Sequence, residues 1–101
     1  MHRHLAINWS DFALESLEEI VIWYELEAGR QVADYVQNRI WQQVENIDGF
    51  AMSIPASDLF LGTRKLVISN LPYVAFIRQL DSAVWKVVDI VHTSRKLPTD
   101  Q

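Results

Sequence analysis

Hydrophobic residues recur every three or four positions through the first half of the chain, which is the spacing of one face of an α-helix. The first such series follows Ser10, a residue type that caps helix N-termini, and it stops at Gly29. The second series runs from Val32 to Ile47 and closes near Asp48–Gly49. The pattern predicts two consecutive amphipathic helices joined by a short turn, which form an antiparallel hairpin.

Strand-like runs precede this hairpin and fill the second half of the chain. A first strand covers Leu5–Trp9, and a connector covers Phe50–Leu61. Three runs rich in β-branched and aromatic residues follow, separated by turn-forming residues: Leu66–Ile68, Tyr73–Ile77 and Val84–Val91. These runs predict an antiparallel meander. The order β-α-α-β-β-β therefore predicts an α+β fold with two layers, in which the helix hairpin packs on a small antiparallel sheet.

Length and composition indicate one domain that spans residues 1–101, because a chain of this size supports a single modest core. Half of the residues are hydrophobic, so we expect the chain to fold. There is no cysteine, which excludes disulfides, thiolate metal sites and cysteine nucleophiles. No apolar run has the length of a membrane span or the form of a signal peptide. We therefore expect a soluble, cytoplasmic protein with no membrane association.

Charge divides the chain into an acidic half and a mildly basic half. Residues 1–50 hold nine acids and three arginines, a net charge of −6, whereas residues 51–101 have a net charge of +2. Binding to nucleic acid in general draws on a dense cationic surface, which this balance does not provide. We therefore expect the acidic residues to form a solvated helix face, and we expect no general affinity for nucleic acid.

The candidate chemistry lies in cations at or near the ends of the three late strands: Arg64, Arg78, His92 and Arg95. If the strands align, these side chains gather on one edge of the sheet and form a site for an anion or a partner. Structural alternatives stay open, because Arg64 can pair with a helix carboxylate and His92 can cap a strand end. Asp89 lies inside an apolar strand and needs a partner, for which we predict an Arg or Lys of the neighbouring strand.

Metal and cofactor binding are not indicated by the sequence. His2 and His4 alternate around Arg3, but three metal ligands cannot be assembled with them. The four tryptophans are the kind of residue that anchors a core or an interface rather than a base-stacking platform. We therefore predict no metal site and no cofactor.

Three short motifs accompany this order of elements. They are Gly-x-Arg-x-Leu (Gly62, Arg64, Leu66), Leu-Pro-Tyr-Val (Leu71–Val74) and His-x-x-Arg-x-x-Pro (His92, Arg95, Pro98). In order and spacing the chain resembles the RelE/ParE toxins of type II toxin–antitoxin modules, over nearly its whole length. The resemblance implies a small cytoplasmic toxin, often plasmid-encoded, and a cognate antitoxin whose C-terminal segment wraps the toxin as helix and strand. A free sheet edge and a groove beside the helix hairpin would accept such a partner.

The resemblance also implies a macromolecular target, and the family divides by that target. RelE-like members cut mRNA on the ribosome, whereas ParE-like members inhibit DNA gyrase. Cleavage of RNA without a metal needs a base, an acid and cations for the charge that develops on phosphate. In a ribonuclease of this family, Arg64, Arg78, His92 and Arg95 would be the catalytic residues.

Two departures from the ribonuclease pattern favour the ParE-like side. Tyr73–Val74 stand where RelE-like enzymes usually place another catalytic arginine, and the strongly basic surface used for ribosome docking is missing. On the ParE-like side, the resemblance implies that the protein partner is bound by Arg64, Tyr73, Arg78 and Arg95.

The preferred interpretation is a toxin that inhibits growth and serves plasmid stabilisation by binding a protein target, with DNA gyrase as that target. The first alternative is a ribosome-dependent mRNA endoribonuclease of RelE type, so enzymatic activity stays an open question. The second alternative is a non-toxic interaction module with the same fold. A homodimer or a toxin–antitoxin hetero-oligomer fits each interpretation.

Overall fold

The computed structural model describes residues 5–94 and arranges them as two helices packed on one four-stranded sheet. The first strand, β1, spans Ala6–Trp9 and is followed by helices α1 (Asp11–Ala28) and α2 (Arg30–Glu45). A 3-10 turn at Ala51–Ser53 then leads to strands β2 (Arg64–Val67), β3 (Tyr73–Asp81) and β4 (Val84–His92). The α+β class, the two layers and the predicted order of elements are confirmed. No helix in this part of the chain has both the length and the apolar character of a membrane span.

Local sequence explains where α1 begins and ends. Ser10 Oγ accepts a hydrogen bond from the Ala13 amide at 2.9 Å, as expected of a helix cap. The same hydroxyl donates to the Val88 carbonyl at 2.9 Å, which ties the start of α1 to β4. Gly29 alone separates α1 from α2, with a φ of 94° that disfavours any residue with a Cβ atom. The predicted cap and the predicted boundary between the helices are both confirmed.

Two elements differ in length from the prediction. Helix α2 ends at Glu45, before the predicted closure near Asp48, because the Asn46 side chain donates to the Gln42 carbonyl at 2.8 Å and caps the last turn. Strand β3 continues to Asp81, beyond the apolar run, because ladder hydrogen bonds join backbone groups and do not require apolar side chains.

The direction of β1 also differs from the prediction. The strands lie in the order β1-β4-β3-β2, and β1 pairs with β4 in parallel, so the sheet is mixed rather than wholly antiparallel. Hydrogen bonds from Ala6 N to Ala83 O at 2.8 Å and from Ser10 N to Val87 O at 3.0 Å fix this pairing. The predicted meander of β2, β3 and β4 is confirmed. The alternation of apolar residues marks which face of a strand is buried and carries no information on the direction of its neighbour.

The sheet separates two hydrophobic clusters. The larger cluster lies between the sheet and the helices, where Trp85 and Ile77 of the strands pack in one core with Ile40 of α2. The smaller cluster contains Phe76 and lies on the opposite face of the sheet, here called the outer face, where Phe60 of the connector packs against it. Successive residues of β3 contribute to opposite faces, so this one strand takes part in both clusters.

Candidate functional site

The pairing of β3 with β4 brings two of the predicted site residues together at one end of the sheet. Tyr73 is paired with His92, and their rings meet edge to face with centroids 5.1 Å apart. Tyr24 of α1 approaches from the helical layer, with its ring centroid 6.4 Å from that of Tyr73. Trp23 follows at 5.0 Å from Tyr24, also edge to face. A continuous row of four rings therefore runs from α1 to the end of β4.

This row lines a groove of about 570 Å³, here called the aromatic groove. Its walls are formed by Ser16, Glu19, Ile20, Trp23, Tyr24, Tyr73, Ile90, His92 and Ser94. Trp23 is 56% exposed, so much of its indole is available to a partner, whereas only 6% of Tyr73 is exposed. A concave surface with apolar rings and a few polar groups is the usual form of a ligand or peptide site.

Tyr73 and His92 contribute polar groups to the groove, and each has an identified hydrogen-bond partner. Burial raises the pKa of Tyr73 well above its ordinary value of 10.0, and a hydrogen bond with the Tyr24 side chain raises it further. The Tyr73 hydroxyl therefore stays protonated at neutral pH. The Ser94 amide donates to His92 Nδ1 at 3.0 Å, so this ring nitrogen acts as an acceptor.

Asp89 supplies a carboxylate beside the groove, and its partner is not the one predicted. Ser16 Oγ donates to Asp89 Oδ1 at 2.7 Å, and the Ile90 amide donates to the same oxygen at 2.8 Å. The prediction of an Arg or Lys partner from the neighbouring strand is therefore wrong. The register between β3 and β4 shifts between Phe76 and Ile77, which interrupts the alternation of side chains between the two sheet faces. The Asp89 side chain therefore contacts α1 and not a cation of the neighbouring strand.

Arg64 is held at the other end of the sheet by backbone groups of the connector. Its Nη1 donates to the Ile54 carbonyl at 2.7 Å and to the Met52 carbonyl at 3.3 Å. The guanidinium carbon also lies 5.9 Å from the ring centre of Trp85, within the range of a cation–π contact. The carbonyl partners replace the helix carboxylate considered above. Arg64 therefore fastens the connector to the sheet.

Arg78 lies near Arg64 but on the opposite face of the sheet. It follows Ile77, which is paired with Arg64, and it stands directly opposite Lys86 of β4. Arg78 lies five positions after Tyr73 on β3, which corresponds to about 16 Å of strand.

The predicted site residues that the structure describes therefore form two separate groups and not one cluster at a single edge of the sheet. Tyr73 and His92 lie together in the aromatic groove, whereas Arg64 and Arg78 lie at the far end of β3 on different faces. The expectation that all these cations gather on one edge does not hold for residues 5–94, because strand length and alternation separate them. Arg95, the fourth cation, lies outside the described residues. The roles of all these residues in binding or catalysis stay predictions.

The described residues do not bring the predicted cations to the Tyr73–His92 pair. Cleavage of RNA needs cations beside the phosphate on which charge develops. Neither Arg64 nor Arg78 lies beside His92. The aromatic groove instead offers ring faces together with the Glu19 carboxylate, a combination that attracts apolar and cationic side chains of a polypeptide.

Only Tyr73 and His92 of the groove were predicted as site residues, and the contributors that were not include Ser16, Glu19 and Trp23. Trp23 carried a usable signal, because it lies beside the apolar stripe of α1 rather than within it. A large aromatic residue outside the buried stripe of a helix indicates a contact surface. Ser16 and Glu19 carried no such signal, since polar residues on that side of the helix are ordinary.

Comparison with known proteins identifies the class to which the chain belongs. Residues 7–97 match the family described as the ParE toxin of type II toxin–antitoxin systems, parDE. The match covers nine-tenths of the sequence, so the chain belongs to the ParE toxin family, and the resemblance to RelE/ParE toxins is confirmed. The protein is a type II toxin by family.

A solved structure shares the fold. The chain is similar to one from the "Chromosomal ParDE TA system from P. aeruginosa", with a TM-score of 0.78 and 21% identity. The similarity covers 88% of this chain and 96% of that chain. At this identity the likeness concerns the fold alone. No relative was found among curated protein sequences.

Proposed function

We propose that this ParE-family toxin arrests growth by binding a protein target in the cytoplasm, and that the target is DNA gyrase. The observation that carries the proposal is the family match over residues 7–97, since gyrase inhibition is what the ParE-like side of the resemblance implies. A toxin of this kind, maintained beside its antitoxin, would serve plasmid stabilisation.

Binding is favoured over RNA cleavage by the positions of the candidate residues. A ribonuclease site would need Arg64, Arg78 and His92 around one phosphate. Arg64 donates to the Ile54 carbonyl, and about 16 Å of strand separate Arg78 from the Tyr73–His92 pair. The ribonuclease alternative therefore receives less support from the geometry than the binding proposal.

We also propose that a cognate antitoxin neutralises the toxin by occupying the aromatic groove and the edge of β1. The related solved structure is named as a ParDE toxin–antitoxin system, which supports such a partner. Among the described residues, β1 pairs only with β4, so its other edge offers backbone groups to an added strand. The edge of β2 is less open, because Lys65 N donates to the Pro55 carbonyl at 2.8 Å.

The target is tested with purified toxin in two parallel assays, one for supercoiling by gyrase and one for translation in a cell extract. We expect supercoiling to stall while translation continues. Cleavage of mRNA in the extract with normal supercoiling would favour the ribonuclease alternative. Unchanged growth on induced expression without antitoxin would contradict both toxin mechanisms and favour the interaction module.

The antitoxin surface is tested by replacing one exposed ring of the groove. Truncation of a central aromatic anchor removes much of the energy of an interface, so we expect Trp23→Ala to weaken antitoxin binding by about tenfold or more. Leu26→Ala is the matched control, because Leu26 is a large apolar residue of α1 that is 80% exposed and does not line the groove. Equal affinities of both variants and the wild type, measured by calorimetry, would exclude the groove as the antitoxin site. Light scattering of the same samples gives the oligomeric state.

A further inference from the structure

The outer face of the sheet carries a pair of like charges that face each other across two strands. Arg78 of β3 is in direct register with Lys86 of β4. Their chain neighbours Ile77, Trp85 and Val87 are buried in the core under the helices. Alternation along the strands therefore directs the Arg78 and Lys86 side chains to the outer face.

Lys65 adds a third cation to this surface. It is paired with Phe76, which belongs to the outer-face cluster and lies two residues before Arg78 on the same face. Diagonal neighbours of this kind in adjacent strands lie about 7–8 Å apart. We call Lys65, Arg78 and Lys86 the basic triad. It spans three adjacent strands of the sheet.

Within residues 5–94, no carboxylate lies at ion-pairing distance from any member of the basic triad. The nearest strand acids have other partners. Asp81 accepts from the Ala83 amide at 2.8 Å, and Asp89 accepts from the Ser16 hydroxyl. Like charges placed directly opposite each other destabilise an antiparallel pair. The triad therefore imposes an electrostatic penalty that the described part of the chain does not offset.

The surroundings of the triad are apolar and exposed. Val67 lies two residues after Lys65 on β2 and is 59% exposed. Leu61, at the end of the connector, is 94% exposed. The Arg78 guanidinium approaches this loop, since a Cβ atom on Gly62 would lie 4.0 Å from Arg78 Nε. A surface that joins cations without a carboxylate partner among residues 5–94 to exposed aliphatic side chains matches a polypeptide segment that is both acidic and apolar.

We propose that the basic triad of Lys65, Arg78 and Lys86 is a docking surface for an acidic segment of the toxin's protein target. A nucleic acid fits this surface less well, because three cations neutralise few phosphates and the whole chain carries a net charge of −4. The triad also lies on the sheet face opposite the aromatic groove, so it is distinct from the proposed antitoxin site. That the acidic segment belongs to gyrase rests on the proposed function, whereas the preference for an acidic polypeptide does not.

The ligand class is tested with a polyglutamate peptide and a duplex DNA oligonucleotide, titrated into the full-length toxin at low and at physiological salt. We expect the peptide to bind more tightly than the DNA and to weaken several-fold as salt screens the charges. We expect Lys65→Gln, Arg78→Gln and Lys86→Gln each to reduce peptide binding by about two- to fivefold, as removal of a single charge at a protein surface does. The matched control is Arg30→Gln, which removes an exposed charge from the helical layer.

Stability measurements separate docking from a structural role. Removal of one member of the Arg78–Lys86 pair relieves repulsion, so the variants are expected to melt at the same temperature as the wild type or slightly above it. Weaker peptide binding together with an unchanged or higher melting temperature supports the proposal. A lower melting temperature in all three variants, tighter binding of DNA than of peptide, or no peptide binding at all would overturn it.

The gyrase assay distinguishes failure of this proposal from failure of the proposed function. If wild-type toxin inhibits gyrase and a variant lacking all three cations inhibits it equally, the docking surface is refuted and gyrase stays the target. If the wild type leaves gyrase unaffected, the target is wrong, and the peptide titration alone decides whether the triad recognises acidic polypeptides.

Discussion

Replacement of Arg64 by methionine tests whether this residue stabilises the fold or is reserved for a partner. Methionine keeps an unbranched side chain that can lie over Trp85, but it removes the guanidinium and its hydrogen bonds to the Ile54 and Met52 carbonyls. The sequence motif points to partner binding for Arg64. The structure instead places its Nη1 against the backbone of the connector, so the substitution separates the two interpretations.

The magnitude follows from the contacts that are lost. A hydrogen bond from a charged donor contributes about 1.5–3 kcal/mol when it is well formed. The bond to Ile54 at 2.7 Å meets that description, whereas the bond to Met52 at 3.3 Å is long and exposed. The cation–π contact at 5.9 Å adds about 0.5 kcal/mol. We therefore expect Arg64→Met to lower the free energy of unfolding by about 2–3 kcal/mol.

The measurement is urea-induced unfolding, monitored through tryptophan fluorescence, because the buried Trp85 reports on the core. Arg78→Met is the control, since Arg78 is exposed and has no hydrogen bond within the described residues; its unfolding free energy should stay within about 0.5 kcal/mol of the wild type. If Arg64→Met is as stable as this control, the guanidinium does not fasten the connector, and the reasoning from its contacts is refuted.

Three further predictions concern single hydroxyl groups. Ser10→Ala should lower the unfolding free energy by about 1 kcal/mol through loss of the α1 cap. Ser10→Thr keeps a hydroxyl that can accept from Ala13 and donate to Val88, so it should restore most of that stability; equal stability of all three proteins would exclude a capping role. Ser16→Ala should lower the unfolding free energy by about 1–3 kcal/mol, because the half-buried Asp89 loses its hydroxyl donor. Chemical denaturation measures this change, and an unchanged unfolding free energy would show that water replaces the serine hydroxyl. Tyr73→Phe should change how the unfolding free energy depends on pH in alkaline solution. The pKa of Tyr73 is raised by burial and by Tyr24, so above pH 10.0 the unfolded chain releases a proton that the folded chain keeps, and stability falls by up to about 1.4 kcal/mol per pH unit. The Phe variant should lack this component, and identical stability profiles from pH 9 to 11 would contradict it.

The sequence contains enough local information to predict the elements of the fold. Ser10 and Gly29 mark the ends of α1 by side-chain chemistry and by backbone geometry, and both act as expected. The strands were recognisable because apolar residues fill the positions that face the core. The direction of β1 was not recognisable, because parallel and antiparallel neighbours bury the same residues.

The candidate site was harder to predict because it depends on register. Arg64, Tyr73, Arg78 and His92 lie on three successive strands, and nothing in the local sequence shows which of them share a strand position. Only the pairing of β3 with β4 sets Tyr73 against His92 and Arg78 against Lys86. A shift of one residue in this pairing would exchange the faces on which these side chains lie. Lys86 lies in none of the motifs, and its position opposite Arg78 is likewise set by this register.

The alternation of β3 separates the surface proposed for the antitoxin from the surface proposed for the target. Tyr73 contributes to the aromatic groove on the helical side, and Arg78, five residues later, contributes to the basic triad on the outer face. Substitutions in the two surfaces should therefore act independently, because distant sites without shared contacts are additive to within about 0.5 kcal/mol. We expect Trp23→Ala to weaken antitoxin binding and to leave polyglutamate binding unchanged. We expect Arg78→Gln to weaken polyglutamate binding and to leave antitoxin binding unchanged. The double variant should lose as much affinity for each partner as the corresponding single variant does. Both affinities are measured by calorimetry. If the affinity losses of the double variant differ clearly from those of the single variants, the two faces communicate or both partners bind one surface.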